Sequence, residues 1–264
     1  MNEDQILVAD TADRIFREEC PTQIVEQAEQ GIYPSELWNI LVDNGLVLVG
    51  IDEVNGGSGG ILVDALVILR EAARRAVPLP LAETFVASQL MNQLQQPIPA
   101  LPVTLVQGHF DLTEQGRLTG QCSAVPFARH CQSFLIVVGD SVQSGQQNDR
   151  LCLVDADQVT LEQYRNISGE PCDALTIEIE VAQQRIFVVD RALLNHGRLL
   201  GAAARAVMMA GALEEMLKIT VDYALERRQF GKAIAKFQAV QQQHHQPFHI
   251  HHTNTQLQVV QLLS

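Results

Sequence analysis

The apolar residues of this chain change their spacing twice, and that pattern restricts the folds open to it. Across residues 1–100 they recur at helical intervals, with Leu7, Ala12, Ile15 and Phe16 sharing one face before Pro21 interrupts. Ser35 is expected to cap a helix carrying Leu37, Trp38, Leu41 and Val42, which Asn44 and Gly45 close. The run Gly56-Gly57-Ser58-Gly59-Gly60 reads as a flexible loop. Helices are expected over 62–75 and 82–94, with Pro78 and Pro80 between them. From 101 to 189 the period falls towards two, in short β-branched runs at 103–106, 133–138, 151–154, 175–181 and 185–189. Polar stretches at 111–116, 140–149 and 166–173 read as their connections. After Asp190 the helical period returns, with a stripe of Leu193, Leu200, Ala203, Val207, Ala210, Leu213, Leu217 and Val221. Helices, strands and helices in separate blocks imply an α+β chain of consecutive units rather than one alternating sheet. The units are an N-terminal helical domain (1–100), a middle antiparallel β-domain (101–189) and the start of a C-terminal helical domain (190–243), followed by an atypical tail (244–264).

Charge narrows the function. A formal net charge of -13 over 264 residues argues against nucleic acid or an anionic membrane as main partner, since both require clustered Lys and Arg. The five cysteines are scattered and form no C-x-x-C pair, which reads as ordinary thiols in a reducing cytoplasm. The acidic start, Asn2-Glu3-Asp4, is unlike a signal peptide, and no run reaches the roughly 20 apolar residues of a membrane span. Five histidines crowd the tail: His244, His245, His249, His251 and His252. A regular helix could not turn four of them to one ion and no Cys or acid stands among them, so a disordered tail is expected there rather than a metal site.

One segment is far more specific. Residues 223–241 read YALERRQFGKAIAKFQAVQ, in which two adjacent arginines precede Phe230 and Gly231. On residue types alone this could be an Arg pair on a solvated helix face with Phe230 and Phe237 in a core, or a broken helix end that aims a guanidinium at phosphate. The segment resembles the acyl-CoA dehydrogenase pattern of a Tyr followed by R-x-x-F-G-(K/R)-x-I-x-x-F-Q-(A/S)-(V/I)-Q. Trp38-x-x-Leu41-x-x-x-Gly45-Leu46 with Gly56-Gly57, Arg70-Glu71 leading to Pro78-x-Pro80, and Gly116 through Ala128 are similar to further stretches of that family. Up to about Gln243, the resemblance implies an FAD enzyme oxidising acyl-CoA thioesters to α,β-unsaturated products. It also implies that Arg227, Gln229, Phe230 and Gly231 bind the pyrophosphate side of a neighbouring subunit's FAD, with Gln238 on the adenine side. The implied partners are an acyl-CoA, an acceptor like electron-transfer flavoprotein, and further subunits of a homo- or hetero-oligomer.

Three departures qualify this. The family's T-E-P-x-x-G-S-D loop is absent near Pro102. The early position of its catalytic Glu falls at Gly201, while Glu214, Glu215 and Asp222 read as a solvated face, so no catalytic residue is identified. The pattern breaks at His244, as a frameshift would break it. The expectation is a chain of poor stability and no turnover, with Leu213 and Leu217 partly uncovered. A non-catalytic partner subunit is the second reading; a flavin oxygenase of the same fold and a plain helical binding module stand behind it.

Overall fold

The computed structural model describes residues 2–139 and 149–240. Helix α1 (Glu3–Glu19) opens with a capping box: the Gln5 amide donates to the Asn2 side chain, and the Asn2 amide donates to the Gln5 side chain. It buries Ala12, Ile15 and Phe16, whereas Leu7 is 67% exposed and outside the core. Helices α2 (Thr22–Glu29) and α3 (Ser35–Asp43) follow. Pro34, not Ser35, occupies the cap of α3, and no side chain bonds its first turn. Pro34 contributes its carbonyl, which accepts from the Trp38 amide at 3.1 Å. Leu37, Trp38 and Leu41 point inward, and Val42 faces out.

Helices α4 (Leu62–Arg74) and α5 (Leu81–Gln93) complete the N-terminal block. Every residue of α5 from Leu81 to Met91 is buried, so this helix has no solvent face. It nevertheless carries Glu83, Thr84, Ser88 and Gln89.

Among the described residues eight strands follow: β1 (Val103–Gln107), β2 (His109–Leu112), β3 (Arg117–Pro126), β4 (Ser133–Val138), β5 (Asp149–Asp155), β6 (Thr160–Glu162), β7 (Cys172–Glu180) and β8 (Ile186–Val189). They form two four-stranded sheets, ordered β1-β4-β5-β8 and β2-β3-β7-β6. Phe110, Leu118, Leu175 and Ile177 of one sheet and Phe134, Ile136, Cys152 and Val154 of the other share one core. The pairing is antiparallel as expected, except that β1 runs parallel to β4, with Val103 opposite Ser133. Part of the stretch taken for a polar connection is β2, an edge strand whose His109 and Asp111 face water. β6, also an edge strand, lay within no expected run.

Helix α6 (Arg191–Glu226) spans 36 residues. Asp190 caps it by accepting from the Leu193 amide at 2.8 Å. Its first half packs on α4 and α5, where Leu200 and Ala204 join the helical core. At Gly211 a β-carbon would lie well inside 3.0 Å of the Arg70 carbonyl oxygen, so only glycine lets α6 lie this close to α4. Among the described residues, no helix is long and apolar enough to cross a membrane.

Candidate functional site

At its C-terminal end α6 stops abruptly. Arg227 leaves helical geometry at φ -66, ψ 122, although its amide still donates to the Tyr223 carbonyl. The chain then folds back as a miniature hairpin of β9 (Arg228–Gln229) and β10 (Lys232–Ala233). The two turn residues, Phe230 at φ 50 and Gly231 at φ 79, are both left-handed, as a type I′ turn requires. The Ile234 amide closes the hairpin on the Arg227 carbonyl at 2.8 Å.

The hairpin therefore gathers Arg227, Gln229, Phe230 and Gly231 into one feature, and places Gln238 beyond the turn that follows it. Phe230 is 94% exposed, which removes it from any core of this chain. Its ring meets Phe237 edge-on at 6.4 Å, and Lys232 Nζ stands 4.4 Å from the Phe237 ring centre. Arg227 and Arg228 are exposed, and neither guanidinium has an ion-pair or hydrogen-bond partner among the described residues. Gly231 has open space around it.

The inner face of α6 is the second feature. A β-carbon at Gly201 would touch only Val86 Cγ2, at 3.9 Å, so packing does not demand a glycine there. Glu214 and Glu215 are not the solvated face expected of them. Glu214 pairs with Arg70, and Glu215 pairs with Arg74 at 3.3 Å and approaches Arg75. They tie α6 to α4, while Asp222 does face water. One buried acid on α5 had no place in the sequence reading. Glu83, with a side chain 6% exposed, pairs with Arg205 of α6. Burial pushes its carboxyl above the ordinary range, against the opposing pull of Arg205.

A cleft of about 250 Å³ lies beside this face. It is lined by Tyr33, Pro78, Phe127, His130, Glu170 and Met208, among others. Tyr33 and His130 stack at 4.3 Å, and burial holds the His130 imidazole below its usual range. Next to them, Arg129 makes a forked pair with the fully buried Asp173.

Comparisons with known proteins agree with this architecture. Residues 2–96 match the model described as acyl-CoA dehydrogenase, N-terminal domain, and residues 187–263 match that of the acyl-CoA dehydrogenase C-terminal domain. The chain belongs to the acyl-CoA dehydrogenase family. Acyl-CoA dehydrogenase IpdE2 of Mycobacterium tuberculosis is 27% identical over 214 residues, covering 79% of this chain and 59% of that relative. The chain thus spans less than two thirds of that relative's length. A solved structure titled Tcur3481-Tcur3483 steroid ACAD G363A variant is 25% identical, with a TM-score of 0.79 over 93% of this chain and 73% of the other. The ChsE4-ChsE5 complex from Mycobacterium tuberculosis shares the fold at a TM-score of 0.82 and 22% identity, covering 94% of this chain and 74% of that one. The C-terminal match carries on past Gln243, where the resemblance read from the motif ended. The histidine-rich stretch from His244 lies outside the described residues.

Proposed function

We propose that this chain is a subunit of an FAD-dependent acyl-CoA dehydrogenase, which removes the α-proton and β-hydride of an acyl-CoA thioester. The observation that carries the reading is the hairpin after α6. Two guanidinium groups without a partner among the described residues and an almost fully exposed Phe230 stand together on one tight turn at the end of α6. Exposed, unpaired cations of this kind fit a pyrophosphate brought by another subunit. Arg227 would hold that anion, Gln229 and Gly231 would offer polar backbone and side-chain contacts, and Phe230 would cover an apolar part. Gln238 would reach the adenine side. When bound, FAD supplies the acceptor for the hydride. An oligomer also accounts for the outer face of α6, where Met209, Leu213, Met216 and Ile219 are each more than half exposed. A separate acceptor of the electron-transfer flavoprotein kind would take the electrons onward, in the cytoplasm.

A second reading rests on Gly201. The chemistry requires a carboxylate at the substrate's α-carbon, and glycine occupies the early family position for it. A subunit that lends flavin contacts to a catalytic partner fits this equally. Visible absorption of the purified chain, before and after adding FAD, tests both. Retained flavin that Arg227→Ala releases supports the cofactor site, and a folded chain that retains none overturns it. Bleaching of the bound flavin by an acyl-CoA favours the dehydrogenase. Retained flavin that no acyl-CoA bleaches favours the partner subunit.

A further inference from the structure

The helices α5 and α6 meet in antiparallel register. Gly197 lies against Leu90, Gly201 against Val86, and Arg205 pairs with Glu83. The first two steps are apolar, and the third is an ion pair set into the same seam. An ion pair with one end buried is weak evidence of stabilisation, because apolar side chains in its place are often neutral or stabilising. Its two ends are unequal: the Glu83 side chain is 6% exposed and that of Arg205 50%. One Arg205 nitrogen donates to Glu83, and another lies 3.7 Å from Met208 Sδ. Met208 in turn lines the cleft described above. Glu83 thus pins a guanidinium that is half exposed and lies beside a residue of the cleft wall. Glu170, on the cleft wall, is the nearby acid that acts on Glu83, and Cys131 and Cys172 lie within its electrostatic reach.

Position 201 marks the α-carbon end of the acyl site on the dehydrogenase reading, because the family's early catalytic carboxylate stands there. Arg205 lies four residues further on the same face, about 6 Å along the helix axis. We propose that the Arg205–Glu83 pair selects the acyl group, by recognising a keto or hydroxyl oxygen carried roughly one helical turn beyond the α-carbon. This rests on the dehydrogenase reading of the chain. Arg205 donates to the acyl oxygen, and Glu83 holds the guanidinium in place and accepts from a hydroxyl. A plain alkyl chain at that point would leave guanidinium N–H groups desolvated and unpaired, which sites of this kind discriminate against strongly. A carboxylate there would meet the charge of Glu83, so a neutral oxygen function fits better.

The test is calorimetric binding of hexanoyl-CoA and 5-oxohexanoyl-CoA to the FAD-loaded chain. The CoA moiety is identical, so only the distal oxygen differs. The oxo ester is expected to bind about tenfold tighter or more, as a hydrogen bond to a charged donor allows. Arg205→Leu should weaken the oxo ester alone and bring the two affinities together. The double variant E83L/R205L leaves no orphaned charge, and should show the same loss of preference in a chain that folds. Equal affinities in the wild type, or an equal weakening of both esters in either variant, overturns the proposal while leaving the dehydrogenase reading intact. A chain that binds FAD but neither ester, or no FAD at all, overturns that reading and the proposal with it.

Discussion

Two glycines on α6, at 201 and 211, are expected to respond in opposite ways to the same substitution. At Gly211 the added methyl lands on the backbone of α4, inside 3.0 Å of the Arg70 carbonyl oxygen and 3.1 Å from its carbon. Backbone cannot swing aside as a side chain can, so the two helices must separate. Overpacking of this sort costs about 3 kcal/mol at its upper end. Alanine returns about 1 kcal/mol of helix propensity, which leaves a net loss of about 2 kcal/mol for Gly211→Ala. In a chain of this size that is a fall of roughly 4–8 °C in melting temperature. At Gly201 the methyl meets only Val86 Cγ2 at 3.9 Å, an ordinary contact. Gly201→Ala therefore keeps the propensity gain of about 1 kcal/mol, a rise of roughly 2–4 °C. Thermal melts followed by far-UV circular dichroism would measure both. Shifts of the same sign would refute the reasoning, because the close contact between α4 and α6 would then not exist in solution.

Asp173 is fully buried, and although burial raises its carboxyl pKa, hydrogen bonds from Arg129 and the Tyr164 amide outweigh that and hold it below the usual range. A depressed folded-state pKa means stability that is present above about pH 4 and lost as the pH falls further. Asp173→Asn should flatten this acid limb in urea titrations, and cost about 3 kcal/mol at neutral pH by leaving Arg129 unpaired. An acid limb identical to that of the wild type would contradict the assignment. Burial pushes the thiols of Cys20 to about 11 and Cys152 to about 12, and that of Cys131 higher still. In the native chain at mildly alkaline pH a thiol reagent should label Cys122 and Cys172 first, and mass spectrometry that found Cys152 labelled first would exclude the β-core described here. On α5, the Thr84 and Ser88 hydroxyl oxygens are buried without a partner among the described residues. Thr84→Val is accordingly expected to be neutral or stabilising by about 1 kcal/mol, and a marked loss in the melting temperature would reveal a hidden hydrogen bond.

The periodicity of the chain made the major elements legible: α4, α5 and α6 stand where the apolar spacing placed them. What it missed are elements and contacts that depend on distant residues. β2 and β6 are edge strands with one wet face, so their composition reads like that of a loop. Glu214 and Glu215 looked solvated because an acid pair on a helix ordinarily is. Their partners, Arg70, Arg74 and Arg75, lie on α4, and that basic run was the available signal. Glu83 is harder to read, since its partner is 122 residues away. Its only local sign is an acid within a stretch too apolar to have a solvent face. The hairpin residues were visible through a dense motif, which carried the family but could not show that Phe230 would stand in the open.

The length of α6 has a consequence for how such a subunit is used. From Gly201 to the last helical residue, Glu226, is 25 residues of unbroken rod, about 38 Å. A stiff helix of that length cannot bend its terminal hairpin back to its own first turns. On the proposed function, the two ends would then serve different copies. In a twofold-symmetric pair each chain would lend its hairpin across the axis and receive one in return. Damage to a hairpin would then appear as a defect in the neighbour, and two differently disabled chains mixed together would rebuild one sound site between them.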